Sequence, residues 1–262
     1  MCGIAGILNT NNRNMLSLDT MKKMLSTIRH RGPDEFGLYK DSHVVLGHAR
    51  LSIIDLSGGH QPMANEDKTI WITFNGEIFN YLELRQDLLN KGHKLATSSD
   101  TEVIIHLFED HGPDCLKYLN GQFSFAIWDK NKKELFVARD RIGIRPLFYA
   151  MEENIFYFSS EIKALFASGG LRREIDPVAL DQIFTMWCTI PPQTAFKGIN
   201  ELAPGSYLII KNGQIYREQY WTWIFQTNRK NYRLMMPGKG SKTCSSMPRA
   251  SSLELMCQLG HI

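Results

Sequence analysis

Met1-Cys2-Gly3-Ile4-Ala5-Gly6-Ile7 opens the chain. Small apolar residues with two glycines read as a short buried strand. A cysteine directly after the initiator Met has a side chain small enough for that Met to be removed. What remains is a thiol and a free α-amine on one carbon. The thiolate is a strong nucleophile and an α-amine titrates at about 8, so a single residue can supply both nucleophile and base. A buried strand after Cys2 would hold that terminus inside the protein. Taken alone, Met-Cys reads more simply as a small buried cysteine, and the case for chemistry has to come from elsewhere in the chain.

Composition narrows the class. The 262 residues suit one substantial domain, or one domain plus an extension, and 43% hydrophobic with 22% charged residues is ordinary for a soluble globular protein. No apolar run approaches membrane-spanning length. The N-terminus has no basic region followed by an apolar stretch, so no signal peptide is expected and the location expected is cytoplasmic. The five cysteines are scattered with no Cys-x-x-Cys pair, and the eight histidines show no ligand spacing. Neither disulfides nor a metal site is expected. The net charge of +3 is concentrated late: residues 224–262 carry six basic residues against Glu254 alone, leaving 24 basic and 26 acidic residues in 1–223. The body carries no nucleic-acid footprint.

The pattern then alternates between the two periods. Leu18, Met21, Leu25 and Ile28 have helical spacing, ended by Gly32-Pro33. Val44–Ile54 reads as one strand. Ile70–Phe74 is a strand followed by Asn75-Gly76, which by itself is the commonest tight-turn pair. Asn80 with Glu83, and Ser99 with Glu102, read as capping boxes opening two helices. Phe123, Phe125 and Ile127 alternate on one face of a strand, and Leu135–Arg139, Leu147–Ala150 and Ile155–Ser159 continue a meander. Short helices are expected at Glu161–Ala167 and Asp176–Trp187, and Asn212-Gly213 marks a hairpin. Hairpin-linked strands with two helix pairs point to an α+β fold of antiparallel sheet with helices outside it.

Several of these stretches, in this order, resemble the glutaminase domain of glutamine-hydrolysing asparagine synthetases, class II glutamine amidotransferases within the N-terminal-nucleophile hydrolases. They are Met1–Gly6, His30-Arg31-Gly32-Pro33-Asp34, Gly47–Ile53, Gly59-His60-Gln61-Pro62-Met63, Phe74–Asn80, Ser99–Glu102, Arg139–Leu147 and Ser160–Leu165. The similarity is colinear to about Trp221. The Gly-His-Gln-Pro-Met segment favours the asparagine synthetase branch.

The resemblance implies a four-layer αββα sandwich of two antiparallel sheets, with L-glutamine as substrate. It implies Cys2 as the nucleophile, with Asn75 (side chain) and Gly76 (backbone N–H) as the oxyanion hole. Arg50 would clamp the substrate carboxylate. Leu51, Ser52, Ile53 and Ile54 would frame the pocket, and Glu77 and Asp100 would bind the substrate ammonium. No cofactor or metal is implied in this chain.

Family members continue into a domain that adenylates aspartate with ATP and Mg on a Ser-Gly-Gly-x-Asp-Ser loop, which this sequence lacks. The expectation is therefore a glutaminase domain over 1–223, truncated before the synthetase domain. An unrelated, poorly ordered tail, out of frame or substituted, would occupy 224–262. A separate synthetase chain is one partner the resemblance leaves open, and nothing in the sequence specifies whether one supplies that half or what the oligomeric state is. The competing expectation is a non-catalytic fragment or binding module that keeps the fold.

Overall fold

The computed structural model describes residues 1–11, 16–55 and 58–223. The chain divides into two units, Met1–Trp223 and Ile224–Ile262. The second unit, on which the expectation of a poorly ordered or out-of-frame tail falls, lies outside the described residues.

The first unit runs β1 (Gly3–Asn9), α1 (Leu18–Thr27), β2 (Glu35–Lys40), β3 (Val44–Arg50), β4 (Met63–Ala64), β5 (Ile70–Ile78), α2 (Tyr81–Asn90) and α3 (Asp100–His111). It continues with β6 (Gly121–Asp129), β7 (Glu134–Arg139), β8 (Phe148–Glu152), β9 (Ile155–Ser159), α4 (Ile162–Ala167), α5 (Pro177–Met186), β10 (Asn200–Glu201), β11 (Ser206–Lys211) and β12 (Gln214–Gln219). The strands form two six-stranded sheets, ordered β10-β8-β9-β1-β3-β2 and β12-β11-β7-β6-β5-β4. Every described pairing is antiparallel.

Strand alternation sorts the core into layers. On β1, Ile4 and Leu8 face the second sheet and meet Ala126, Trp128, Val137 and Leu208 there. Ala5 and Ile7 face the other way, toward Met21, Met24 and Leu25 of α1 and Leu165 of α4. On the second sheet Phe74, Phe123, Phe125 and Ile127 turn outward onto Leu84 and Leu88 of α2 and Val103, Ile104 and Leu107 of α3. Helices, sheet, sheet and helices make the αββα sandwich that the resemblance implied, and the antiparallel sheet with outer helices that the sequence pattern indicated. Among the described residues no helix is long and apolar enough to cross a membrane.

Gly6 shares the inward face of β1, and its place is taken by a ring: a Cβ there would come within 2.0 Å of Phe158 Cε1. The central strand is thin because Phe158 of β9 leans across it. That explains one of the two glycines in the opening stretch.

Local readings differ from the structure in three instructive places. The strand expected over Val44–Ile54 ends at Arg50, and Leu51–Ile54 leave the sheet as irregular chain. Asn75-Gly76 is not a turn but lies inside β5, paired with Ser124 and Phe123 of β6. The capping boxes form only in part. Ser99 accepts the Thr101 N–H at 3.2 Å, but Glu102 reaches back past it to the Ala96 and Thr97 N–H groups, each at 2.7 Å. Asn80 gives α2 no side-chain cap; its amide instead takes the Asn120 N–H and donates to Tyr118 O, tying the helix start to the turn before β6.

Leu46 of β3 is fully buried in the layer between the sheets. Leu46→Ala is expected to lower unfolding stability by roughly 2–5 kcal/mol, because lost burial and a residual cavity add there. Urea-induced unfolding followed by tryptophan fluorescence checks this.

Candidate active site

Cys2 precedes the first residue of β1, and its neighbours are held on every side. The Ile4 N–H donates to Ser160 Oγ at 3.0 Å, and Ile4 O accepts from Ser159 Oγ at 3.0 Å and Ser160 N at 2.9 Å. Arg31 Nε donates to Cys2 O at 2.9 Å while its Nη1 pairs with Glu161 at 3.1 Å. The half-buried Cys2 Sγ accepts the Leu51 N–H at 3.4 Å. Burial pushes the thiol above its ordinary range, opposed by that N–H, by the terminal ammonium and by the Arg50 and Arg145 guanidiniums. The thiol is therefore protonated at neutral pH until a base takes its proton, and Met1 lines the cleft beside it.

The cleft has a volume of about 620 Å³, including its open mouth, and Cys2 lies in its wall. The edge of β5 lines it too, through Phe74, Asn75, Gly76 and Glu77. β4 pairs with β5 only at Met63↔Ile72 and Ala64↔Trp71, so the edge of β5 beyond Ile72 has no strand beside it. Backbone donors on that edge alternate. The Phe74 N–H is taken by Gln61 Oε1 at 2.7 Å and the Ile78 N–H by Asp100 Oδ2 at 3.0 Å. Residue 76 lies between them with the same parity, so alternation turns the Gly76 N–H to the cleft. The amide N and O of Asn75 are both buried and both lack a protein partner. A buried, unpaired amide costs on the order of 1–3 kcal/mol, which a ligand in the cleft would relieve. Gly76 must be glycine here, since a Cβ would sit 2.2 Å from Gln122 O on β6.

Arg50 ends β3 almost fully buried, with Nη2 on Asp55 O at 2.6 Å and Nη1 on Glu35 at 3.4 Å. Glu35 in turn accepts from His60 Nδ1 at 2.8 Å. Gly59 allows the loop to close over Arg50, because a Cβ would meet Nη2 at 2.7 Å. Asp100 starts α3, and burial raises its pKa to about 6, with the Ile78 and Thr101 N–H groups acting against burial and Glu77 adding to it.

The structure brings Cys2, Arg50, Leu51, Ile53, Ile54, Asn75, Gly76, Glu77 and Asp100 around one cleft. Ser52 does not join the lining; its N–H turns away to Asp34 Oδ2 at 2.8 Å. Gln61, Thr101 and Arg145 line the cleft without having been assigned a site role from sequence. All three lay inside motifs that carried the resemblance, and that was the available signal. Arg145 is delivered by Asp140, whose buried carboxylate accepts the N–H groups of Phe123, Ile142, Ile144 and Arg145.

Away from the cleft, His93, His106 and Glu109 bring potential ligand atoms within 4.8 Å of one another, a grouping that spacing in the sequence did not suggest. Carboxylates already claim both rings, His106 Nδ1 meeting Glu109 at 2.7 Å and His93 Nε2 meeting Asp110 at 3.0 Å. These contacts join the segment after α2 to α3.

Cys2, the unpaired Asn75 amide, Arg50 and the acids Glu77 and Asp100 thus share one cleft. The chain belongs to the glutamine amidotransferase domain family, whose profile matches residues 1–221. It is 39% identical to "Asparagine synthetase [glutamine-hydrolyzing] 3" of Bacillus subtilis (strain 168) over 224 residues, 84% of this chain and 36% of the relative. It is 36% identical to "Putative asparagine synthetase [glutamine-hydrolyzing] 2" of Methanocaldococcus jannaschii, over 85% of this chain and 46% of that one. The chain thus spans between a third and a half of the length of these relatives. Among solved structures, glutamine phosphoribosylpyrophosphate amidotransferase from B. subtilis shares the fold at TM-score 0.63 and 23% identity, over 85% of this chain and 50% of that chain.

Because Asp100 holds its proton longer when folded than when unfolded, its ionisation costs stability as pH rises from about 4 through about 6. Asp100→Asn is expected to exceed wild type in stability at pH 7.5 by up to roughly 3 kcal/mol and to match it below pH 4. Urea titrations at the two pH values check the sign.

Proposed function

We propose that this domain hydrolyses L-glutamine to glutamate and ammonia through a thioester on Cys2. The observation that carries the reading is the buried, unpartnered Asn75 amide on the same cleft as Cys2. Such a group is expensive unless an oxyanion or a substrate oxygen completes it.

Removal of Met1 frees the Cys2 α-amine. The amine takes the thiol proton, directly or through one water, as Sγ attacks the side-chain amide carbon of glutamine. The carbonyl oxygen becomes an oxyanion held by Asn75 Nδ2 and the Gly76 N–H, donors typically worth about 3–4 kcal/mol each in such sites. The ammonium of Cys2 then protonates the leaving nitrogen. The C–N bond breaks, ammonia departs, and a γ-glutamyl thioester remains. Water, deprotonated by the same amine, attacks the thioester and releases glutamate with the thiol restored.

Arg50 suits the substrate carboxylate because its guanidinium is fixed by Glu35 and Asp55 O before any ligand arrives. Asp100 and Glu77 suit the ammonium, and a bound ammonium would favour ionised Asp100. Leu51, Ile53 and Ile54 frame the entrance.

We further propose that the ammonia serves ATP-dependent amidation of aspartate by a synthetase half lying beyond this domain or on another chain. ATP and Mg²⁺ belong to that half, and no step here runs through them. A reducing, cytoplasmic setting suits a catalytic thiol.

Incubation with glutamine, following glutamate and ammonia, tests the reading. Wild type with Met1 removed is expected to release both. Cys2→Ala is expected to release neither, and Asn75→Ala is expected to lose at least ~100-fold in kcat, in line with removal of one oxyanion donor. Equal release by wild type and Cys2→Ala would favour the binding-module reading instead. Since ionised Asp100 binds the ammonium better, KM for glutamine is expected to rise as pH falls below about 6, and that trend is expected to vanish in Asp100→Asn.

A further inference from the structure

The Gly59-His60-Gln61-Pro62-Met63 segment is specific in sequence yet has no part in the chemistry proposed above. The structure gives Gln61 a place. Its side chain is nearly buried and bridges two walls of the cleft. Oε1 accepts the Phe74 N–H at 2.7 Å, and Nε2 donates to Thr101 Oγ1 at 3.2 Å. From the other sheet, His48 Nε2 donates to Phe74 O at 3.0 Å. His48 is fully buried, and burial lowers its pKa to about 4, so at neutral pH the ring is uncharged with its one N–H on this bond.

Phe74 immediately precedes the oxyanion pair. Both of its peptide groups point off the β6 ladder, to the edge that β4 leaves uncovered, and two side chains hold them. Without these bonds the edge of β5 would carry buried unpaired groups at the one place where Asn75 and Gly76 must be fixed. Gln61 therefore substitutes for the missing strand at a single residue, and it does so while leaving the next donor on that edge, Gly76, to the cleft. Its second bond reaches the residue after Asp100. The strand that bears the oxyanion donors and the helix that bears the proposed ammonium acceptor are thereby locked in one register.

We propose that Gln61 is a positioning residue of the amide-cleaving site, holding the β5 edge so that Asn75 and Gly76 meet the oxyanion rather than the ground-state carbonyl; this rests on the function proposed above. A positioning role acts on the transition state. Substrate carboxylate and ammonium contacts, made by other residues, stay intact.

The test uses the full chain with Met1 removed and two ligands. Glutamine reports kcat and KM. The γ-aldehyde of glutamate reports the oxyanion hole, since Cys2 adds to it to give a tetrahedral thiohemiacetal. Gln61→Met keeps the length and removes both hydrogen bonds. It is expected to lower kcat by 10- to 100-fold, to weaken inhibition by the aldehyde by a similar factor, and to leave KM for glutamine within about threefold of wild type. Thr101→Val, which removes only the anchor of the Gln61 amide, is expected to give a smaller change of the same selectivity, about 3- to 10-fold in kcat and in aldehyde inhibition. If Gln61→Met fails to fold, Thr101→Val decides. Parallel losses in KM and kcat, or unchanged aldehyde inhibition in a variant that folds, would overturn the inference while wild-type hydrolysis stands. No hydrolysis by the wild type would overturn the functional reading and the inference with it.

Discussion

Everything at the cleft depends on β4 being two residues long. A full-length strand would consume the outward-facing N–H groups of β5 at Phe74, Gly76 and Ile78 in a ladder. Because β4 stops opposite Ile72, those donors need other acceptors. Gln61 takes the first and Asp100 the third, and the middle one turns to the cavity. An edge strand is ordinarily a liability, blunted by loops or charges. Here the blunting is done by two buried side chains, and the gap between them is the site.

The second sheet and the first are held in register by the same few atoms. His48 of β3 crosses the interlayer to Phe74 O, and Thr73 Oγ1 crosses back to Gly47 O at 3.2 Å. The same strand β3 ends at Arg50 and continues into Leu51, whose N–H rests on the Cys2 sulfur. The thiol and the unpaired Asn75 amide thus sit on different sheets, connected by short hydrogen-bonded paths rather than by long loops. In the hydrolysis proposed above, donors held by these bonds before substrate arrives are what would stabilise developing charge.

Much of the layering was legible in the sequence because it rests on period-2 alternation. Phe123, Phe125 and Ile127, or Ile4 and Leu8, point where alternation says they should. Helix ends were less legible: Asn80 spends its amide on Tyr118 and Asn120, some forty residues along the chain, and Glu102 reaches past its capping position to Ala96 and Thr97. Asn75-Gly76 shows the same limit from the other side. A pair that favours turns locally is kept in a strand by its pairing with β6, where only glycine fits against Gln122 O. For the cleft, the residues carried by family motifs gather as those motifs suggest, except Ser52, whose backbone is drawn off by Asp34. Gln61 and Arg145 stayed silent because their roles are to touch backbone or to be delivered by a buried turn. A residue type at a given spacing does not announce that.

The proposed chemistry turns on Cys2 becoming the first residue and accepting an acyl group. Rapid acid quench of the chain during turnover of glutamine, followed by intact-mass and peptide mass spectrometry, measures both at once. The expected result is a chain lacking Met1, with a fraction carrying one γ-glutamyl group on Cys2. A chain that lacks Met1, consumes glutamine and never carries that group on Cys2 would contradict it.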